Sequence, residues 1–127
     1  MALPVFLKTS RRSILITMQT RGVRLHETLE HAIYSNVRTA LGRFGRRVRS
    51  VFVWVEDANG PRDGSGIWCR MVVVLAQGGR LSASAEAANE YTAVAKCASR
   101  VRTLLDRLVK RRRRTRRAPR VLRHQYS

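Results

Sequence analysis

The basic residues of this chain are concentrated near its C-terminal end. The last quarter, residues 96–127, holds 13 of the 26 lysine and arginine residues but only 1 of the 8 acidic residues. The formal net charge is +18, and most of the basic residues are arginine. Because such a chain repels itself, we expect it to bind a polyanion. Nucleic acid is the first candidate and an acidic membrane surface the second.

The rest of the composition indicates one small domain of 127 residues. Cys69 and Cys97 are too few for a disulfide framework and form no CxxC pair, which excludes a zinc site built on cysteines and favours a reducing cytoplasm. No apolar run approaches the roughly 20 residues that span a bilayer. Residues 1–12 are expected to form a poorly ordered leader, whose apolar part is too short for a secretory signal.

Apolar periodicity predicts four strands and two helices. The strands lie near residues 14–19, 51–55, 67–75 and 80–86, and the helices at residues 26–44 and from Asn89 to about residue 117. Two amphipathic helices can cover one face of such a sheet. We therefore predict an α+β domain over residues 13–113, in the order β-α-β-β-β-α, with both helices on one face of a four-stranded sheet. It would be similar to a double-stranded-RNA-binding domain, and an Arg-rich tail would follow over residues 114–127.

The other face of this sheet is predicted to be unusually apolar, because Phe52, Trp54, Val72 and Val74 fall on it. Exposed aromatic rings there could stack on unpaired RNA bases. The aromatic-rich motif of RNA-recognition modules is absent, however. We therefore favour cover by the tail or by a partner protein.

The sequence offers no catalytic constellation. His26 and His31 are five residues apart and do not share a helix face as a metal pair would, and the acidic residues are scattered. No serine lies in a nucleophile motif, and the glycine-bearing loop at residues 59–66 lacks the phosphate-binding pattern. We expect neither enzymatic activity nor a cofactor.

The second helix carries the strongest functional signal. Arg100, Arg107 and Arg111 recur at spacings of seven and four, which places them on one side of a rigid element that can contact several phosphates. Uncompensated like charges destabilise a helix, so an external polyanion is the simplest explanation. The predicted RNA-binding residues are Arg38, Arg43, Lys96, Arg100, Arg107, Lys110, Arg111 and Arg114.

Residues 77–91, QGGRLSASAEAANEY, resemble a stretch of the ribosome hibernation-promoting factors, also called ribosome-associated translation inhibitors. That family carries a glycine pair, a strand of small residues, an Asn or Asp and a Tyr there. The segment from Arg43 to Arg62, with Cys69 after it, resembles a divergent branch. The resemblance covers about residues 14–114, and the predicted element order is similar to the fold of the family.

The resemblance implies docking on the small ribosomal subunit near the decoding centre, where the family blocks mRNA and tRNA and silences the ribosome during starvation. The family's basic positions on the second helix fall on Arg100, Thr103, Arg107 and Arg111. Those on the first helix fall on Asn36, Thr39 and Gly42, none of which is basic. Long members add a dimerisation domain that pairs ribosomes; this chain ends without one, so it resembles the short forms.

Two alternatives stay open. One is a general RNA-binding or RNA-chaperone module, which would bind ribosomes and random RNA duplexes equally well. The other is a membrane-surface protein that uses residues 111–117 as a polybasic patch. The expected partner is the small ribosomal subunit with its rRNA, bound in the cytoplasm by a monomer or weak dimer, with no small-molecule substrate and no membrane.

Overall fold

The computed structural model describes residues 3–8, 13–57 and 66–117. The elements in chain order are β1 (Leu3–Lys8), β2 (Ser13–Arg21), α1 (Glu27–Leu41), a 3-10 turn (Gly42–Phe44), β3 (Val48–Asp57), β4 (Ile67–Leu75), β5 (Arg80–Ala87) and α2 (Glu90–Arg117). From β2 onward they follow the predicted order β-α-β-β-β-α.

The strands form one mixed sheet in the order β1-β2-β3-β4-β5. β2 and β3 are parallel, with α1 in the connection between them, while every other neighbouring pair is antiparallel. Gly78 and Gly79 turn the chain between β4 and β5 with positive φ angles of 97° and 85°, which glycine adopts without a Cβ clash. The two glycines thus form a tight turn between adjacent strands, and β5 lies at one edge of the sheet.

The predicted count of four strands is wrong, because part of the expected leader forms a fifth strand. Residues 3–8 pair with β2, and Leu7, opposite Ile14, is only 1% exposed. Every second side chain of β1 points towards the core. These are Leu3, Val5 and Leu7, and they cover the core beside β2. Proline is tolerated in an edge strand, so Pro4 does not prevent the pairing.

One hydrophobic core lies between the sheet and both helices. Alternate residues of the strands, such as Ile16 and Val53, are fully buried together with the apolar residues of α1 and α2. The first turns of the helices are capped by side chains. The His26 Nδ1 accepts a hydrogen bond from the Leu29 N–H at 3.1 Å, and the Asn89 Oδ1 accepts one from the Thr92 N–H at 2.9 Å. Asn89, where the sequence predicts the second helix to begin, is thus its N-cap.

The opposite face of the sheet carries the predicted aromatic residues. Phe52 and Trp54 are partly buried, and their rings lie 6.4 Å apart between centroids at an interplanar angle of 18°. The Trp54 Nε1–H donates to Glu56 Oε2 at 3.3 Å, and Glu56 also pairs with Arg21. Cover of this face by the tail stays a prediction, because residues 118–127 lie outside the described residues; the first part of the expected tail, up to Arg117, is helical.

Leu7→Ala tests whether β1 belongs to the packed domain. Removing this buried side chain should lower the free energy of unfolding by about 2–4 kcal/mol, measured by urea denaturation. Phe6→Ala is the matched control, because Phe6 is larger but 61% exposed; it should cost less than about 1 kcal/mol. Equal losses for the two variants would contradict the packing of β1.

Candidate nucleic-acid interface

Packing on the sheet fixes the rotation of α2 about its axis. Its apolar residues Val94, Cys97, Val101 and Leu105 are buried in the core, where α2 contacts β4, β5 and α1. Side chains on the opposite side of the helix must therefore point into solvent. The basic residues of α2 occupy that side and its flanks.

Five basic residues form a row along the exposed side of α2. We call this the basic row: Lys96, Arg100, Arg107, Arg111 and Arg114, all of which are exposed. Their spacings of four, seven, four and three residues return to the same side of a helix, and the row extends about 27 Å at 1.5 Å per residue. The structure therefore brings five of the eight predicted RNA-binding residues together in one row, and a sixth, Lys110, lies elsewhere on the same helix.

Three of the five cations in the basic row are not paired within the described part of the chain. Within residues 3–8, 13–57 and 66–117, Lys96, Arg107 and Arg114 have no hydrogen-bond or ion-pair partner. Arg100 donates to the backbone carbonyl of Ser84, which holds its guanidinium at the edge of β5. A carbonyl leaves the positive charge in place, so the row can attract phosphates.

Two further basic residues share the carboxylate of Asp106 on another flank of α2. Lys110 belongs to α2 itself, and Arg43 reaches it from the turn after α1. The Asp106 Oδ1 is 3.3 Å from an Arg43 guanidinium nitrogen, and its Oδ2 is 3.2 Å from the Lys110 Nζ. All three side chains are well exposed, so these pairs stabilise the fold by no more than about 1 kcal/mol each. The pair with Lys110 is local, four residues along α2, whereas the pair with Arg43 joins residues 63 apart in the sequence.

A basic cleft of about 710 Å³ opens beside this pair, between the turn after α1 and the C-terminal half of α2. Its basic lining residues are Arg43, Arg46, Arg47, Lys110 and Arg113. Asp106 is the one acidic residue among those lining it within the described chain. The turn is anchored by buried Phe44, and the Arg43 guanidinium lies 5.3 Å from the centroid of its ring.

Sequence reasoning missed Arg46, Arg47 and Arg113 as candidate binding residues. The basic run at residues 43–49 is visible in the sequence, but nothing in it shows that this turn lies beside the end of α2. The remaining predicted residue, Arg38, is exposed in the last turn of α1 and lines neither the basic row nor the basic cleft as the structure describes them.

Sequence resemblance to the hibernation-promoting factors aligns three of their basic positions with Asn36 and Thr39 of α1 and with Gly42 in the turn after it. None of the three is cationic here. The Asn36 Nδ2 donates to the Ala32 carbonyl at 2.8 Å, and the Thr39 hydroxyl donates to the Ser35 carbonyl at 3.0 Å. Gly42 is exposed and has open space around it. Positive charge near this end of α1 therefore comes from Arg38 and from the turn that follows.

The two cysteines are buried between β4 and α2. The Cys97 thiol donates to the Ala83 carbonyl at 3.3 Å. The hydrogen bond between the two thiols, together with burial, raises the pKa of the Cys69 thiol above its ordinary value. Both are small buried residues of the core. Within the described residues there is no group of acidic, histidine and cysteine side chains that could hold a metal, and no helix is long and apolar enough to cross a membrane.

No protein-family model matches the chain, and no curated protein does. Solved structures do match. The N-terminal domain of Protein Y from Thermus thermophilus aligns with a TM-score of 0.60 at 16% identity, covering 72% of this chain and 93% of that one. A ribosomal subunit interface protein from Coxiella burnetii aligns with a TM-score of 0.60 at 15% identity, covering 73% and 97%. This chain shares their fold. The expected four-stranded domain similar to a double-stranded-RNA-binding domain is corrected accordingly, because the sheet has five strands and the fold matches these proteins.

Asp106→Asn tests whether the basic surface of α2 dominates polyanion binding. Removing this carboxylate releases Arg43 and Lys110, so the variant should elute from a heparin column at higher salt than the wild type. Glu27→Gln is the matched control, because it changes the net charge equally at the exposed start of α1. It should elute close to the wild type, and identical shifts for the two variants would contradict a localised interface.

Proposed function

We propose that this protein is a ribosome-associated translation inhibitor similar to the hibernation-promoting factors. It binds the small ribosomal subunit near the decoding centre and blocks the access of mRNA and tRNA. The observation that carries this proposal is the basic row on α2, a line of exposed cations on one rigid helix.

The mechanism is electrostatic and requires no chemistry on a substrate. Each guanidinium of the basic row can donate two hydrogen bonds to a phosphate, and binding releases the counterions that the RNA had condensed. Because α2 is packed on the sheet, its arginines are presented together without ordering a loose segment. The basic cleft adds a second group of cations next to the row, so a curved RNA backbone can be contacted from two sides.

Two observations favour the ribosome over other polyanions. The stretch at residues 77–91 resembles the hibernation factors, and it forms the β4–β5 turn, β5 and the start of α2. One solved structure with this fold is a ribosomal subunit interface protein. Both support a cytoplasmic, non-enzymatic role on the ribosome.

Reversing three charges of the basic row tests the proposal. The variant Arg100→Glu, Arg107→Glu, Arg111→Glu should bind purified small subunits at least about a hundredfold more weakly, because three charge-assisted contacts become repulsions. It should also lose inhibition in a cell-free translation reaction, while circular dichroism shows an intact fold. Sedimentation with small subunits gives the affinity.

A control with the same net charge separates position from charge. Its three substitutions, all at exposed arginines outside α2, are Arg21→Glu, Arg24→Glu and Arg49→Glu. This variant should keep most of its binding and inhibition. Inhibition by the α2 variant at the level of the wild type would remove the basic row from the mechanism.

The salt dependence of binding gives an independent measurement. With on the order of four to eight phosphate contacts, the logarithm of the affinity should fall against the logarithm of the salt concentration with a slope of about −3 to −7. A titration of labelled protein against small subunits between low and physiological salt yields the slope. A flat response would contradict phosphate contact.

A general RNA-binding module is the second candidate, because contacts to phosphates carry no sequence information by themselves. Competition distinguishes the two. A random RNA duplex should displace the protein from small subunits only at a large excess if the ribosome is the partner. Displacement at equal nucleotide concentration would favour the general module.

A further inference from the structure

Two pockets meet at the edge strand β5. One lies on the sheet face away from the helices, has a volume of about 280 Å³ and includes Trp68 and Arg70 in its lining. The other lies between β5 and α2, has a volume of about 370 Å³ and includes Arg100 and Arg107. Both are lined by Ala83 and Ser84. The two pockets therefore lie on opposite sides of the same strand.

The edge between these pockets is open to a ligand. Among the described residues no strand pairs with the outer side of β5, and its central side chains are small. One strand is about 5 Å across, so a single nucleotide is long enough to reach from one pocket to the other. Arg100 stands at this edge, because its guanidinium donates to the Ser84 carbonyl.

The pocket on the sheet face has the residues that bind an unpaired base. Trp68 offers a partly exposed flat ring for stacking. Arg70 is exposed and lies in register between Trp54 and Ser84, while the hydroxyls of Ser82 and Ser84 stand on the same pocket wall. Hydroxyls and a guanidinium can donate to base edges, and Arg70 can also contact a phosphate.

The charges around Trp68 orient such a ligand. Glu56 and Glu86 lie opposite Trp68 on the two neighbouring strands, so a phosphate is repelled from the ring itself. Cations stand on the side towards Arg70 and, across the edge, at Arg100 and Arg107. This arrangement favours an aromatic base at Trp68 with its phosphates at the arginines.

We propose that the edge of β5 binds an unpaired nucleotide of RNA, with its base stacked on Trp68 and its phosphates held by Arg70, Arg100 and Arg107. The site deepens the proposed function, because Arg100 and Arg107 belong to the basic row. The basic row alone could bind either paired or unpaired RNA, because it contacts phosphates. The site at β5 requires in addition an RNA base that is not paired in a duplex. Trp54 lies across from Arg70 on β3, but neither it nor Phe52 lines this pocket.

Tryptophan fluorescence tests the stacking directly. The chain has two tryptophans, so Trp54→Phe leaves Trp68 as the single indole. Hexaadenylate should quench its emission, whereas an abasic hexamer of the same charge should bind without quenching. Equal quenching by both probes, or hexaadenylate binding without quenching, would overturn the proposal.

Substitutions at Trp68 measure the contribution of the ring. Trp68→Leu fills similar space on the solvent face without an aromatic ring, and it should weaken hexaadenylate binding by about 5- to 150-fold. Trp68→Phe should retain most of the affinity, and Trp54→Leu is the matched control that should change it less than about twofold. Unchanged binding by Trp68→Leu, with the fold verified by circular dichroism, would overturn the proposal.

Small-subunit binding is measured in parallel, so that the two proposals can fail separately. If the wild type does not sediment with small subunits but hexaadenylate quenches Trp68, the proposed function is wrong and the nucleotide site is supported. If the protein sediments with small subunits and Trp68 is not quenched by hexaadenylate that binds, the proposed function is supported and the nucleotide site is wrong.

Discussion

The burial of the apolar stripe of α2 against the sheet is the interaction on which the rest of the molecule depends. Val101 and Leu105 lie in the core, and the helical period then determines which residues of α2 face solvent. An isolated helix with so many like charges would be unstable. The core therefore holds an arginine-rich segment in a conformation that its own charge opposes, and in doing so it aligns the basic row.

Local sequence pattern predicted most of the fold, because alternation and helical periodicity are local properties. The spacing of apolar residues is enough to predict β4 and the apolar face of α2. Residue type explains the glycine turn between β4 and β5 and the cap at Asn89. Neither predicts β1. Its sequence is short and contains Pro4, and what makes it a strand is pairing with β2 and burial of Leu7 beside Ile14. The pairing of β1 with β2 is a tertiary contact, and the local pattern of residues 3–8 does not reveal it.

The candidate site divides in the same way. The basic row is readable from the sequence, since its members repeat along one helix. The basic cleft and the edge of β5 are not, since each joins distant segments: Arg43 meets Asp106 across 63 residues, and Arg100 reaches Ser84 from the next element. The exposed face of the sheet gave an ambiguous signal in the sequence. Its register places Arg70 and two serines beside Trp68, which gives that face a chemistry suited to nucleotides.

A cryo-EM map of small ribosomal subunits saturated with the protein would show where the domain binds and which way α2 faces. We expect density for the domain in the channel for mRNA and tRNA, with α2 turned so that the side chains of Arg107 and Arg111 contact rRNA phosphates. A map in which the domain is bound with the basic row facing solvent would contradict the proposed mechanism. So would an empty channel at a protein concentration that saturates binding.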